Sequence, residues 1–146
     1  MTVPAAHPEY LSYRVKRLYM LISQRLNDAL KPYGLARSQW QVLSRISRVD
    51  TLSQKDLQHV MQVESATLTG IIDVLAAKGW VERLESADDK RCRVLRLTPE
   101  GAELMALIPD PYEIVEARML GDVPGRDREQ AERVLELMIH NLEDRS

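Results

Sequence analysis

The chain has 146 residues, of which 45% are hydrophobic and 29% are charged, a balance that is typical of one compact globular domain. This composition excludes a disordered or fibrous chain, and no apolar run approaches the roughly 20 residues that a membrane-spanning helix needs. The formal net charge of -2 hides a division, because residues 1–98 carry 15 Lys and Arg against 10 Asp and Glu, whereas residues 99–146 carry 5 against 12.

The N-terminus and the cysteine content favour a cytoplasmic protein whose fold has no internal disulfide bond. Residues 1–7 have neither a basic start nor an apolar signal core, so we expect the protein to stay in the cytoplasm. Cys92 is the only cysteine, and one thiol makes neither an internal disulfide nor a familiar thiolate metal site. We therefore expect no metal and no cofactor.

Near the N-terminus, apolar residues recur at three- and four-residue spacing and predict a long amphipathic helix from Tyr10 to Leu30. The sequence KPYG at residues 31–34 ends that helix. Ser38 followed by Gln41 predicts a capping box that begins a second, short helix with Trp40 on its apolar side.

A third and a fourth helix follow at short intervals. Ser53 with Asp56 predicts the start of the third, and the fourth is expected from about Glu64 to Lys78, ending at Gly79. Three short helices separated by tight turns bury one shared core and leave the last of them projecting, which is how a helix enters the major groove of DNA. The residues expected on the buried face of the fourth helix are Leu68, Ile71, Ile72 and Leu75.

The pattern then changes to two short strands, residues 80–84 and 93–97, joined by a polar tip at residues 85–90. A hairpin directly after a helix-turn-helix is a wing. Thr98 and Pro99 predict the start of a fifth helix, which prolines 109 and 111 are expected to interrupt and kink. A glycine- and proline-containing stretch at 121–125 separates it from a last helix with a continuous apolar stripe from Ala131 to Leu142.

The wing carries the strongest charge signal, with Lys90, Arg91, Arg93 and Arg96 within seven positions and no acid among them. An arginine at a hairpin tip can enter a narrow minor groove, and Arg91 is the predicted one. The alternative for Arg91 is a surface ion pair with Asp73, Asp88 or Asp89, and the alternative for Ser65 is simple helix capping. The predicted DNA-contacting residues are Ser38, Ser53, Gln54, Ser65, Thr67, Thr69, Lys90, Arg91 and Arg93.

Four sequence stretches together resemble the signature of the MarR family of winged helix-turn-helix regulators. They are TLTGIIDVL at 67–75, KGWVER at 78–83, DKR at 89–91 and LTPEG at 97–101. The resemblance extends to the long first helix and the terminal helices, and it departs from the family at Gly70, where many members carry an arginine.

The resemblance implies a mainly α fold with a small β-hairpin wing, in one domain spanning 1–146. Residues 38–98 are then the DNA-binding region, and 9–31 with 99–146 are helices that dimerise. A homodimer of this kind represses genes by occupying a near-palindromic operator. The apolar stripes at 11–30 and 131–142 point to a dimer independently, and the alternative is that they pack on each other within one chain.

Family members commonly respond to small aromatic acids or phenols. By resemblance Arg17 matches a carboxylate-contacting position, and Tyr13 and Trp40 are candidates to line the same cleft. The alternatives are a solvated Arg17 and core aromatic residues. Cys92 beside two arginines is a candidate thiol sensor, with a buried or semi-buried filler as the favoured role.

No catalytic residues are predicted. The three histidines lie in separate segments, and no hydrolase, nucleotide-binding or metalloprotease motif occurs in the sequence. The alternative to a DNA-binding regulator is a winged-helix protein-protein adaptor without operator specificity.

Overall fold

The computed structural model describes residues 10–88 and 91–143. The chain divides into two compact units, one up to Pro111 and one from Tyr112 onward. The helices are α1 (Leu11–Leu30), α2 (Arg37–Ser47), α3 (Gln54–Met61), α4 (Ser65–Ala77), α5 (Pro99–Leu107), α6 (Pro111–Met119) and α7 (Gly125–Leu142), and the strands are β1 (Leu52–Ser53), β2 (Val81–Glu85) and β3 (Arg93–Leu97).

The first unit is built around one apolar core to which α2, α3, α4 and the strands contribute. Leu43, Leu57, Leu68 and Ile72 in that core are fully shielded from solvent. The predicted buried face of α4 is confirmed for Leu68, Ile72 and Leu75, and Ile71 packs against the core while partly exposed. The mainly helical winged-helix fold that the sequence predicts is therefore the fold observed.

The sheet has three antiparallel strands in the order β1-β3-β2. Val81 pairs with Leu97 at the base of the wing, and Glu85 pairs with Arg93 toward its tip. The sequence predicts this hairpin but not β1. Leu52 pairs with Leu95 across more than 40 positions of sequence, and two residues are too few to show the alternation that marks a strand.

The start of α2 corrects the predicted capping box at Ser38 and Gln41. The helix begins at Arg37, so Ser38 lies inside its first turn. The backbone N–H of Ala36 donates to Gln39 Oε1 at 3.0 Å, which is half of a capping box displaced by two positions. The sequence predicts the start of the helix at Ser38 because serine is a preferred N-cap residue and alanine is not.

The start of α3 is as predicted, since Ser53 Oγ accepts from the backbone N–H of Asp56 at 3.0 Å. The start of α4 excludes the alternative that Ser65 acts only as the N-cap of this helix. Glu64 precedes the helix without a side-chain capping bond, and Ser65 is the first helical residue. Gly79 follows the helix in the left-handed region with φ 78°, as expected.

The prolines at 109 and 111 end one helix and begin another, so the predicted interruption is confirmed, whereas a kink within one helix is wrong. Ile108 has φ −82° and ψ 118° because the ring of Pro109 excludes the helical conformation from the residue before it. Pro111 then occupies the first position of α6, where a missing N–H costs nothing.

Candidate nucleic-acid interface

Helices α3 and α4 form a helix-turn-helix. Three residues, 62–64, join them, and the chain bends by 116° between the two helices. Both values fall in the range of the DNA-binding motif, in which helices at roughly 90–120° are joined by about three or four residues. Gln62 makes the turn with φ 52°, a left-handed backbone conformation that residues other than glycine seldom adopt.

Helix α4 has one buried and one exposed face. Leu68, Ile72 and Leu75 hold it to the core, while Ser65 and Thr67 in its first turn are exposed and Thr69 is half-buried. The N-terminal turn of a helix favours phosphate through its unpaired N–H groups, and hydroxyls placed there reach base edges or backbone. The structure therefore presents the hydroxyls of α4 where a groove-binding helix makes its contacts.

Gln54 and Thr69, both predicted DNA contacts, are brought together by the fold. Gln54 Nε2 donates to Thr69 Oγ1 at 3.0 Å, and both side chains are partly buried. The bond joins the first residue of α3 to the middle of α4. It fixes the two side chains on one surface, with Ser53 directly before Gln54 in the chain.

The wing presents Arg91 and Arg93, both exposed. Lys90, the third predicted wing contact, and Asp89 lie outside the described residues. Arg96 has an acidic partner outside the wing's run of cations, which the sequence analysis did not name. Arg96 faces Glu82 across the hairpin and its Nε donates to Glu82 Oε1 at 2.7 Å, so its charge is shared with a partner in the neighbouring strand.

An ion pair between Arg83 and Asp73 joins the wing to α4. The Arg83 side chain is only 23% exposed, and its Nε has no hydrogen-bond partner within the described ranges. Sequence reasoning considered Asp73 as a partner for Arg91 and overlooked Arg83. Glu82 and Arg83 are neighbours whose side chains point to opposite faces of β2. Only the orientation of the strand shows which charged residue each of the two side chains meets.

The base of the wing is fastened by Thr98 and Gly101. Thr98 Oγ1 accepts from the backbone N–H of Gly101 at 3.0 Å and donates to the carbonyl oxygen of Gly79 at 2.5 Å. A Cβ atom on Gly101 would lie 2.1 Å from the carbonyl oxygen of Trp80. These interactions explain why a threonine and a glycine at this spacing follow the wing.

A second cluster that the sequence analysis missed joins α1 to the start of α2. The Arg37 guanidinium donates to Ser23 Oγ at 3.0 Å and to the Tyr19 hydroxyl at 3.1 Å. The hydrogen bond from Arg37 and its positive charge hold the pKa of Tyr19 below its ordinary value, and Ser23 adds to this effect. The Asn27 side chain also accepts from the Arg37 backbone N–H at 3.0 Å.

The predicted ligand residues do not all meet. Tyr13 and Arg17 lie on one face of α1 along a shallow depression of about 580 Å³, whereas Trp40 is buried in the core of the first unit. Cys92 is exposed, which contradicts its predicted role as a buried or semi-buried filler. The other residues along the depression are Lys16, Met20, Leu21 and Gln24.

Metal sites and membrane spans are two further classes of feature that bear on function. In the part of the chain that the structure describes, no three His, Cys, Asp or Glu side chains are grouped so that they could hold a metal ion. No single helix there has the length and apolar character needed to cross a membrane. Helices α3 and α4 have that length and apolar character only when they are taken together, and the chain bends by 116° between them.

Comparisons with known proteins agree with this geometry. The MarR family model matches residues 35–93. The chain is 31% identical over 120 residues to the HTH-type transcriptional regulator YwoH of Bacillus subtilis, covering 82% of this chain and 87% of that protein. It is 35% identical over 92 residues to the multiple antibiotic resistance protein MarR of Salmonella typhimurium, covering 60% of this chain and 64% of that protein.

Among solved structures, a mutant of MarR from E. coli complexed with operator DNA superposes with a TM-score of 0.80 at 25% identity. That match covers 88% of this chain and 92% of the other. The similarity thus extends over most of the chain, beyond the stretch that the family model matches.

Proposed function

The chain belongs to the MarR family of transcriptional regulators, and from this premise we propose that it is a homodimeric repressor that binds a near-palindromic operator in double-stranded DNA. The family is one of regulators and not of enzymes, in agreement with the sequence analysis. The observation that carries the proposal is the pairing of the α3–α4 helix-turn-helix with a wing that the Arg83–Asp73 ion pair holds beside α4.

In this proposal, α4 enters the major groove and the wing contacts the neighbouring minor groove. The exposed hydroxyls of α4 contact bases and phosphates, and Arg91 enters the minor groove, where a narrow groove enhances the negative potential. The full set of proposed DNA contacts is Ser38, Ser53, Gln54, Ser65, Thr67, Thr69, Lys90, Arg91 and Arg93.

Selection of bound fragments from random duplex DNA tests this function. We expect one enriched site with two related half-sites, because a two-fold symmetric dimer binds a two-fold symmetric sequence. Affinity for that site falls as salt rises, since each phosphate contact releases counterions. If no duplex is enriched and no salt-dependent binding occurs, the adaptor alternative replaces the regulator.

A double variant identifies the wing as the source of this affinity. Arg91→Gln with Arg93→Gln should weaken binding and lower the slope of log affinity against log salt by about 0.9 for each phosphate that the protein no longer neutralises. The matched control is Arg118→Gln with Arg126→Gln, which removes equal charge from exposed positions in the second unit. Equal reductions of affinity in the two double variants would show that net charge, and not the wing, determines affinity.

The dimer is proposed because two helices carry apolar side chains that one chain leaves exposed. Every residue of α1 from Leu11 to Leu21 is exposed, and α7 has no buried residue. Contiguous apolar surface of this length usually marks an interface. We therefore assign α1 and the helices of 99–146 to dimerisation, and residues 38–98 to DNA.

Sedimentation at micromolar concentration tests the dimer. A species of twice 16.7 kDa is expected, and one of 16.7 kDa contradicts the dimer. Leu21→Glu places a charge in the exposed stripe of α1 and should yield the smaller species. Val49→Glu serves as the control for added charge, because Val49 is 47% exposed, close to the 45% of Leu21, and lies outside the helices assigned to dimerisation.

An effector site on α1 is proposed for a small aromatic carboxylate. Arg17 and Lys16 supply two cations along the depression, and Tyr13 supplies an aromatic wall. All of its described lining belongs to one helix, so the second chain of the dimer has to supply the other wall. Titration with benzoate-type acids should release the operator from the wild type and not from Arg17→Ala, and equal release from both excludes this site.

Repression is tested with the selected operator placed across a promoter. A repressor lowers transcription in the presence of the protein because the occupied site excludes polymerase. An increase in transcription would show activation.

A further inference from the structure

Helix α4 lacks the side chains with which proteins usually read DNA sequence. None of the residues from Ser65 to Ala77 is Arg, Lys, Asn or Gln. Arginine and lysine make paired hydrogen bonds to guanine, and asparagine and glutamine make them to adenine. If α4 lies in the major groove, it therefore reads the bases in another way.

The exposed face of α4 is small and partly apolar. Ala66, Thr67, Gly70 and Val74 are exposed on successive turns, and Val74 is 42% exposed. Apart from the backbone of its own helix and its chain neighbours, a Cβ atom placed on Gly70 would meet no atom of the described residues within 4 Å, so none of them fills the space above this turn. Asp73, the acid on the same face, is bound to Arg83 of the wing.

Two kinds of group remain for reading bases. Hydroxyls donate and accept, so Ser65 and Thr67 bond to any of several bases and discriminate weakly. Methyl groups favour thymine, because its C5-methyl is the apolar group that a base pair presents in the major groove. Ala66, Thr67 and Val74 carry methyl groups at the exposed face, and the bare backbone at Gly70 lets the helix approach the bases closely.

We propose that α4 selects its operator by packing Ala66, Thr67 and Val74 against the C5-methyl groups of thymines in each half-site. The proposal rests on the proposed function, since it specifies how an operator is recognised. It predicts half-sites whose central major groove contains thymines, at positions where a base without the C5-methyl group binds more weakly.

Deoxyuridine tests the proposal because it lacks only the C5-methyl and keeps every hydrogen bond of thymine. The full-length protein is titrated with the operator selected from random duplexes, with the thymines of both half-sites replaced by deoxyuridine. Affinity should fall about fourfold for each methyl group that is no longer buried. The same replacement confined to the flanking base pairs is the control and should leave affinity unchanged.

Variants assign the effect to α4. Val74→Ala should weaken binding to the thymine operator and should lose less affinity than the wild type when deoxyuridine replaces thymine. Val49→Ala is the matched control, because Val49 is 47% exposed and lies outside α4. It should bind both operators as the wild type does.

The outcomes separate this inference from the proposed function. If no duplex is selected, both fail together. If an operator is selected and its deoxyuridine form binds equally well, DNA binding stands and the recognition of methyl groups is wrong. A deoxyuridine effect of unchanged size in Val74→Ala would also overturn the role of this helix face.

Discussion

The winged helix and the terminal helices have the same kind of apolar periodicity but use it differently. In the winged helix, Leu57 and its neighbours in the core have 0% exposure. On the terminal helices, Leu18 of α1 is 45% exposed and Leu142 of α7 is 85% exposed. One region completes its core within the chain. The other has apolar surface that a single chain leaves in water, and this is the physical basis for expecting a second chain.

The polar contacts of the second unit do not replace that missing burial. Arg128 pairs with Glu116 of α6 and with Glu132 of α7, each at 3.0 Å, and all three side chains are about half exposed. Exposed ion pairs contribute about 0–1 kcal/mol each, whereas burying one leucine side chain contributes about 1.5–3 kcal/mol. The burial of its apolar side chains, and not these ion pairs, therefore determines how stable α7 is.

The largest expected effect separates the two regions by truncating one leucine in each. Leu57→Ala should lower the free energy of unfolding by about 2–5 kcal/mol at any protein concentration, because it leaves a cavity in a core made by one chain. Leu18→Ala should lower the free energy of unfolding by a similar amount only at protein concentrations where the dimer forms. In the dilute monomer it should lower it by roughly 0.5 kcal/mol or less. Urea unfolding at two concentrations measures both. An equal destabilisation by Leu18→Ala in the monomer would break the comparison.

Two glycines sharpen the comparison within the winged helix. Gly101→Ala should destabilise by about 1–3 kcal/mol or more, since the new methyl group would lie 2.1 Å from the carbonyl oxygen of Trp80. Gly70→Ala, a helical glycine with open space around it, should stabilise by about 0.5–1 kcal/mol through helix propensity. Thermal unfolding of both variants checks the opposite signs, and the same sign in both would show that the close approach at Gly101 is not what limits that position.

A smaller effect concerns the ion pair between the wing and α4. Asp73→Asn should cost about 1 kcal/mol of stability, because Asp73 is exposed while Arg83 is half-buried, and it should lower operator affinity several-fold because the wing is no longer tied to the reading helix. Glu82→Gln breaks a second wing pair, with Arg96, inside the hairpin. It is the control and should leave affinity nearly unchanged. An equal fall in affinity in both variants would show that Asp73 does not position the wing.

The sequence predicted those features that depend on neighbouring residues. Thr98 and Ser53 cap helices through bonds to residues three positions on, and Gly79 ends a helix by its own conformation. The same local reasoning placed α4 and its buried face correctly. This reasoning failed at the start of α2, because Ser38 is a good capping residue that lies two positions after the true N-cap, Ala36.

The features that the sequence did not predict depend on residues far apart in the chain. The Arg83–Asp73 pair requires the orientation of β2 toward α4, and the Arg37–Tyr19 bond joins residues 18 positions apart. Strand β1 exists only because β3 is beside it. Helical periodicity indicates which face of an element is buried but not which partner meets its polar side chains.

The smallest expected effect is the titration of Tyr19, which lies where the exposed part of α1 meets the winged helix. Since Arg37 lowers the pKa of Tyr19 in the folded chain, loss of the phenolic proton favours the folded state. This contribution is absent at low pH, grows as pH rises through the lowered pKa, and is complete above the ordinary value of 10.0.

Ultraviolet difference titration of the wild type against Tyr19→Phe isolates this phenolate. Arg37→Gln should move its titration to higher pH, whereas Arg25→Gln, an arginine of α1 that pairs with Asp28, should not. If Tyr19 titrates at the same pH in wild type and Arg37→Gln, the cluster does not join α1 electrostatically to the winged helix. The Asn27 bond to the backbone of α2 and apolar contacts at the end of α1 would then couple the two regions without a contribution from the Tyr19 phenolate.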